Sequence, residues 1–171
     1  MTSPPDRRVT LDNLGAWLLK GNADLGGLAD RFAREPEVRR WCVQPNYRTR
    51  LMRAGQPVLF WASGSRRRDV PYGLWGLGRL TGPAQLDPAG GGWWIPLDLV
   101  IAEPARRVAR TVLREDPTLA GLEVLRQPQA ANPSFVTRPE WEAIQWHLQQ
   151  PAPAPRAARG TAQPAPEWRR R

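Results

Sequence analysis

Apolar residues along this chain fall into short runs whose spacing switches between a period of two and a period near three and a half, so strands and helices are expected to intermix. Residues 16–20 (AWLLK) form an apolar run bounded by Gly15 and Gly21 and predict a strand. Beyond Asn22, the positions of Leu25, Leu28, Ala29 and Phe32 follow i, i+3, i+4, i+7. That spacing predicts an amphipathic helix with Asp24 as its N-cap, despite Gly26 and Gly27 in the first turn. Residues 58–61 are a second apolar run, introduced by Gln56-Pro57 and closed by Ser63-Gly64. Residues 72–80 alternate glycine with Trp75, Leu77 and Arg79. Both predict strands, joined by a short basic loop containing Arg66, Arg67 and Arg68.

The clearest strand is residues 93–101, where Trp93, Ile95, Leu97, Leu99 and Ile101 alternate with Trp94, Pro96, Asp98 and Val100. Pro96 has no N–H to give to a ladder, which predicts an edge or a bulge there. From Pro104, the residues Ala105, Val108, Ala109, Val112 and Leu113 share one helical face, and Arg106, Arg110 and Arg114 form a row on another that is read as solvated. Thr137-Arg-Pro-Glu140 is a capping-box pattern that starts a last helix carrying Trp141, Ile144 and Leu148. Few helices among several short strands with glycine-rich turns give an α+β domain with a curved, barrel-like sheet. One such domain is expected over residues 9–148. Residues 1–8 and the Pro/Ala/Arg-rich residues 149–171 lack hydrophobic periodicity and are expected to be disordered.

Charge sharpens this picture because it is concentrated. The 171 residues have a formal net charge of +9. The stretch from residue 31 to residue 79 holds eleven arginines against three acids, while residues 1–30 and 80–150 are slightly acidic. Trp41, Trp61, Trp75, Tyr47 and Tyr72 are threaded through the same stretch. Guanidinium groups bind phosphates bidentately and flat rings offer bases a stacking face, so the combination points to nucleic acid. Trp17, Trp75, Trp141 and Trp146 fall on periodic apolar elements and are assigned to the core. Trp41, Trp61 and Trp93 lie at strand ends, where a ring can line a cavity.

Catalytic chemistry finds little material. His147 is the single histidine, read as an exposed structural residue, so no Ser/His/Asp constellation or histidine-ligated metal can be assembled. Glu35, Glu37 and Asp69, the acids of the basic stretch, have no metal-binding spacing. Cys42, the single cysteine, rules out an intramolecular disulfide and has no histidine base placed beside it. No export signal is visible and no run approaches the roughly 20 apolar residues of a membrane span, so a cytoplasmic protein is expected, with no cofactor, no metal and no membrane partner.

The order of motifs resembles the EVE domain family, of the PUA-like group that also holds the YTH domains. WLLKGN (residues 17–22) resembles the family's opening strand with its Lys, and RRWCVQPNYRTRL (39–51) its Trp-then-Asn-Tyr-x-x-Arg segment. VLFWASG (58–64) resembles the strand that follows, and WWIPLDL (93–99) a later Trp-led strand. LRQ and residues 137–144 are similar to the family's closing Leu/Thr-Arg-Gln and Glu-Trp helix. The resemblance covers about residues 15–148 and rests on five weak motifs in the right order. It implies a small curved β-barrel with flanking helices and a pocket for one flipped-out modified base. By the same resemblance, Trp41 walls the pocket, Cys42 meets the base edge, Asn22 is similar to the YTH asparagine that reads the base, and Lys20 meets phosphate. Trp61, Ser63 and Trp93 add walls, and Asn46, Tyr47 and Arg48 match the Asn-Tyr segment. The chain departs from the family at Gly21-Asn22-Ala23, where Ser-Glu-Pro is usual, and at Trp61-Ala62, where Tyr-His is usual. The preferred base is therefore not inherited.

Extruding a base costs a few kcal/mol, which aromatic walls offset at about 1–3 kcal/mol per stacked base. One methyl in an apolar pocket is worth only about 1–3 kcal/mol. Arg48, Arg50, Arg53 and Arg66 to Arg68 would add sequence-independent attraction to the backbone. The expectation is a non-catalytic reader of a modified cytosine or adenine, in double-stranded DNA by preference, acting with an effector or nuclease of a restriction or defence system. The alternatives are a PUA-like or YTH-like binder of modified or structured RNA and, behind both, an enzyme acting on a nucleotide.

Overall fold

The computed structural model describes residues 7–151, so nearly all of both expected disordered ends lies outside the described residues. Its strands are β1 (Leu14–Asn22), β2 (Glu37–Val43), β3 (Pro57–Ser63), β4 (Gly73–Leu80), β5 (Gln85–Leu86), β6 (Trp93–Ile101), β7 (Val108–Ala109) and β8 (Ser134–Thr137). The helices are α1 (Leu28–Arg34), α2 (Arg110–Arg114), α3 (Glu123–Arg126) and α4 (Arg138–Gln149), with 3-10 turns at Thr49–Leu51, Pro104–Arg106 and Pro117–Leu119. The fold is α+β, as the sequence predicts.

All the strands belong to one mixed sheet in the order β2-β6-β4-β3-β1-β8, with β5 on β6 and β7 on β4. The hydrogen-bonded path is open, ending at β2 and β8, so the expected barrel does not close through strand pairing. Side chains bridge part of the gap. Trp41 Nε1 on β2 donates to the Lys20 carbonyl of β1 at 3.1 Å. Asn132 accepts from Lys20 N at 2.8 Å, donates to Lys20 O at 3.0 Å, and its own carbonyl accepts from Gln44 N at 2.9 Å.

The parallel pair of β1 and β3 is buried on both faces, which explains why these strands read as unbroken apolar runs rather than alternating ones. Trp17, Leu19, Val58, Phe60 and Ala62 face one cluster with Trp75, Ile95, Leu97 and Phe32 of α1. Ala16, Leu18, Leu59 and Trp61 face a second, covered by Leu113, Leu119, Leu122, Val124 and Ile144. In β6, Pro96 stands opposite Arg40 where the register of β2 slips, the bulge that a missing N–H demands. Gly78 of β4 lies where any Cβ would run into the Asp98 carbonyl, so only glycine lets β4 approach β6 there.

Three local expectations are corrected. The first helix starts at Leu28 with Gly27 as its N-cap residue, leaving Leu25 exposed. The apolar face beginning at Pro104 is not one helix, because a 3-10 turn at Pro104–Arg106 gives way to Val108 and Ala109, which pair with Leu74 and Gly73 of β4, and only Arg110–Arg114 is α-helical. Trp146 is not core; it projects from α4 with 59% of its surface exposed. The capping box of α4 forms as expected, Thr137 N donating to Glu140 at 2.8 Å. The same Glu140 holds Arg7 in an ion pair, and Arg8 lies over the Tyr47 ring, so these two residues rest on the domain.

Candidate nucleic-acid interface

The residues expected to share one pocket do not converge. Trp41 is half-buried and packs edge-on against Phe60, with ring centroids 4.8 Å apart, and near Phe32 at 6.2 Å. Cys42 follows Trp41 on a strand, so it points to the other face of β2, where it is exposed. Trp61 is buried in the second cluster, across the sheet from the Trp41 ring. Asn22 and Ser63 are register partners at the ends of β1 and β3, but both are turned to the backbone: Ser63 Oγ donates to Gly21 O at 3.1 Å and Asn22 Oδ1 accepts from Asp24 N at 2.9 Å.

The expected phosphate-binding cations divide in the same way. Lys20 is half-buried, with its ammonium donating to the Pro128 and Ala130 carbonyls. Burial draws its pKa below the ordinary lysine value, only in part countered by Glu123. Arg48 donates to both carboxylate oxygens of Glu123, at 2.7 and 2.8 Å, and to Pro133 O at 3.0 Å. Burial opposes the Arg48 charge, yet the Glu123 and Tyr47 hydrogen bonds outweigh it and raise the pKa. Both cations are therefore structural ties and not open phosphate contacts. Arg67 pairs with Asp69 at 2.7 Å. Arg50, Arg66 and Arg68 are exposed and donate no side-chain hydrogen bond among the described residues.

A different constellation does come together. Pro45, Asn46, Tyr47, Thr49, Arg50, Arg53, Pro83, Ala84 and Trp93 line an open hollow of about 450 Å³, within the range of small-molecule sites. The 3-10 turn at Thr49–Leu51 sets its floor: Asn46 Oδ1 accepts from Arg48 N at 2.8 Å, and Thr49 Oγ1 accepts from Asn46 N at 3.1 Å and donates to Asn46 O at 2.8 Å. Trp93 enters from the first residue of β6. Trp93, Arg50 and Arg53, all expected from the sequence, thus meet beside the Asn-Tyr segment instead of beside Trp41.

A second basic region sits at the far end of β3. Ser65, Arg67, Arg68, Tyr72, Arg110 and Thr111 are among the residues lining a hollow of about 460 Å³. Its loop is pinned by Asp24, whose carboxylate accepts from Ser65 N at 2.9 Å, Arg66 N at 3.3 Å and the Tyr72 hydroxyl. Asp24 thus caps a loop, not the helix. The Tyr72 hydrogen bond first, then that of Ser65, holds the Asp24 pKa below the usual carboxylate value. A depressed folded pKa contributes order above the unfolded value and loses it as pH falls through the folded one. As pH falls below the ordinary aspartate range, about 3.9, and through the depressed folded value, the amides of Ser65 and Arg66 should therefore lose protection against exchange. Asp24→Asn should show that faster exchange at neutral pH already; unchanged protection in the variant would remove Asp24 from the role.

His147 lines neither hollow; it is packed rather than exposed and bonds Asp116 at 2.9 Å with 10% of its side chain accessible. Among the described residues, no group of three or more His, Cys, Asp or Glu side chains could hold a metal, and no helix is long and apolar enough to cross a membrane.

The α+β architecture is shared with solved bacterial structures. Protein PSPTO5229 of Pseudomonas syringae superimposes with a TM-score of 0.56 at 20% identity, over 78% of this chain and 99% of that one. A protein of Pseudomonas putida gives 0.56 at 22% identity over 78% and 99%. Rpa0253 of Rhodopseudomonas palustris gives 0.54 at 18% identity over 78% and 92%. At these identities the likeness concerns the fold. No family model and no curated protein matches the chain.

Proposed function

We propose that this protein is a non-catalytic nucleic-acid-binding module, of the PUA-like kind that the EVE resemblance implies, which takes one modified base of a DNA duplex into the Tyr47–Trp93 hollow. The observation that carries the reading is the meeting of two aromatic residues and two arginines around one concavity. Rings stack on bases without regard to sequence, and cations attract the flanking phosphates. The bridges from β2 to β1 through Trp41 and Asn132 support the PUA-like part, since they draw the open edge of the sheet toward β1. Arg66 and Arg68 serve as sequence-independent backbone contacts, and cleavage, where it follows binding, belongs to a separate effector.

The test is a binding panel at fixed salt: one duplex carrying cytosine, 5-methylcytosine, 5-hydroxymethylcytosine or N6-methyladenine, with RNA counterparts. Tyr47→Ala should reduce the preference for the modified base about tenfold, in line with about 1–3 kcal/mol per stacked base. Arg66→Ala with Arg68→Ala should instead weaken all duplexes alike and lower the salt slope by about 0.9 per lost phosphate contact. A preference that survives Tyr47→Ala, or tighter binding to the RNA series, would overturn the assignment to this hollow or to DNA.

A further inference from the structure

The hydrogen-bonding groups of the Tyr47–Trp93 hollow are one-sided. Asn46 spends its Oδ1 on Arg48 N at 2.8 Å, which orients the amide so that Nδ2, a donor, is the group left over. The Tyr47 hydroxyl accepts from Val9 N at 3.3 Å and keeps its own proton to give. Thr49 Oγ1 is used in both directions. Arg53 commits Nη1 to Arg50 O at 2.6 Å and Met52 O at 3.1 Å, leaving Nη2 and Nε. Arg50 and the Trp93 indole N–H have no hydrogen-bond partner among the described residues, and none of the nine lining residues is acidic. The uncommitted side-chain groups in the hollow are thus mostly donors, two of them cationic, against single spare lone pairs on the oxygens of Asn46 and Thr49.

A ligand edge that is itself a donor meets no anionic acceptor here, and an added methyl gains only apolar contact in an open concavity. An oxygen acceptor, above all an anionic one, meets several donors at once. We propose that the hollow selects a pyrimidine whose 5-substituent carries oxygen, a 5-carboxyl or 5-formyl group, over the 5-methyl form. The inference rests on the hollow being a base site.

Four duplexes of one sequence, with a central cytosine, 5-methylcytosine, 5-formylcytosine or 5-carboxylcytosine, decide it. The 5-carboxyl duplex should bind about five- to tenfold tighter than the methyl one, a modest factor because the arginines are solvent-exposed. The advantage should vanish in Arg50→Gln. Asn46→Asp keeps the acceptor for Arg48 N but replaces the donor with a charge, and should turn the preference against the carboxyl group. Methyl binding as tight as carboxyl, or a carboxyl advantage unchanged in both variants, overturns the inference while the base site stands. Equal binding of all four duplexes together with no effect of Tyr47→Ala overturns both.

Discussion

Replacing Trp41 by alanine is expected to lower folding stability by about 3 kcal/mol and to leave discrimination among bases unchanged. Truncating a tryptophan typically costs about 3–5 kcal/mol, and the half-buried ring belongs at the low end. Its loss opens a void between Phe60 and Phe32 and removes the indole bond to the Lys20 carbonyl, which keeps its second donor, Asn132. Urea unfolding of both proteins reads the stability, and the duplex panel reads the discrimination. The opposite pattern, normal stability with lost preference, would restore Trp41 as the base-stacking wall that the EVE resemblance implies.

Glu123→Ala should cost about 2–3 kcal/mol, out of proportion to the few atoms removed. The carboxylate is 13% exposed, and the arginine it holds 16%. Deleting it leaves the Arg48 guanidinium poorly hydrated, with only the neutral acceptors Pro133 O and Tyr47. Breaking a fully buried pair costs about 3–5 kcal/mol, and the residual exposure reduces that figure. Glu123 also supports the charge on Lys20, so its loss should lower the Lys20 pKa further. The control is the double variant Arg48→Leu, Glu123→Leu, which removes both charges and should recover most of the stability in thermal unfolding. Equal destabilisation by the single and double changes would mean that packing, not the stranded charge, sets the effect.

The elements were readable where a local signal and the tertiary environment agree. The period of two in β6, the capping box of α4 and the run of β3 each appear at the expected place. The segment after Pro104 misleads because ladder bonds of Val108 and Ala109 to β4 override a helical spacing. Strand parity alone separates Cys42 from Trp41, so those two could never have shared a wall; the opposed burial of Phe60 and Trp61 follows from the same alternation. The hollow itself comes from residues 45–53, 83–84 and 93, brought together by pairing that no local pattern records. Its sequence traces are the Asn-Tyr segment, the arginines at 50 and 53, and Trp93. Pairing partners such as Glu123 for Arg48 and Asp69 for Arg67 decide which cations are open, and arginine count is blind to them.

The two basic regions are separated by the whole of β3. Its seven residues set Pro57 and Ser63, the ends of the strand, about 20 Å apart at ~3.3 Å per residue. On the proposed nucleic-acid reading, a mononucleotide would occupy one region or the other, whereas a strand of some six nucleotides at about 3.4 Å each would reach from one to the other. On that reading, the minimum ligand length is written into the span of a single strand.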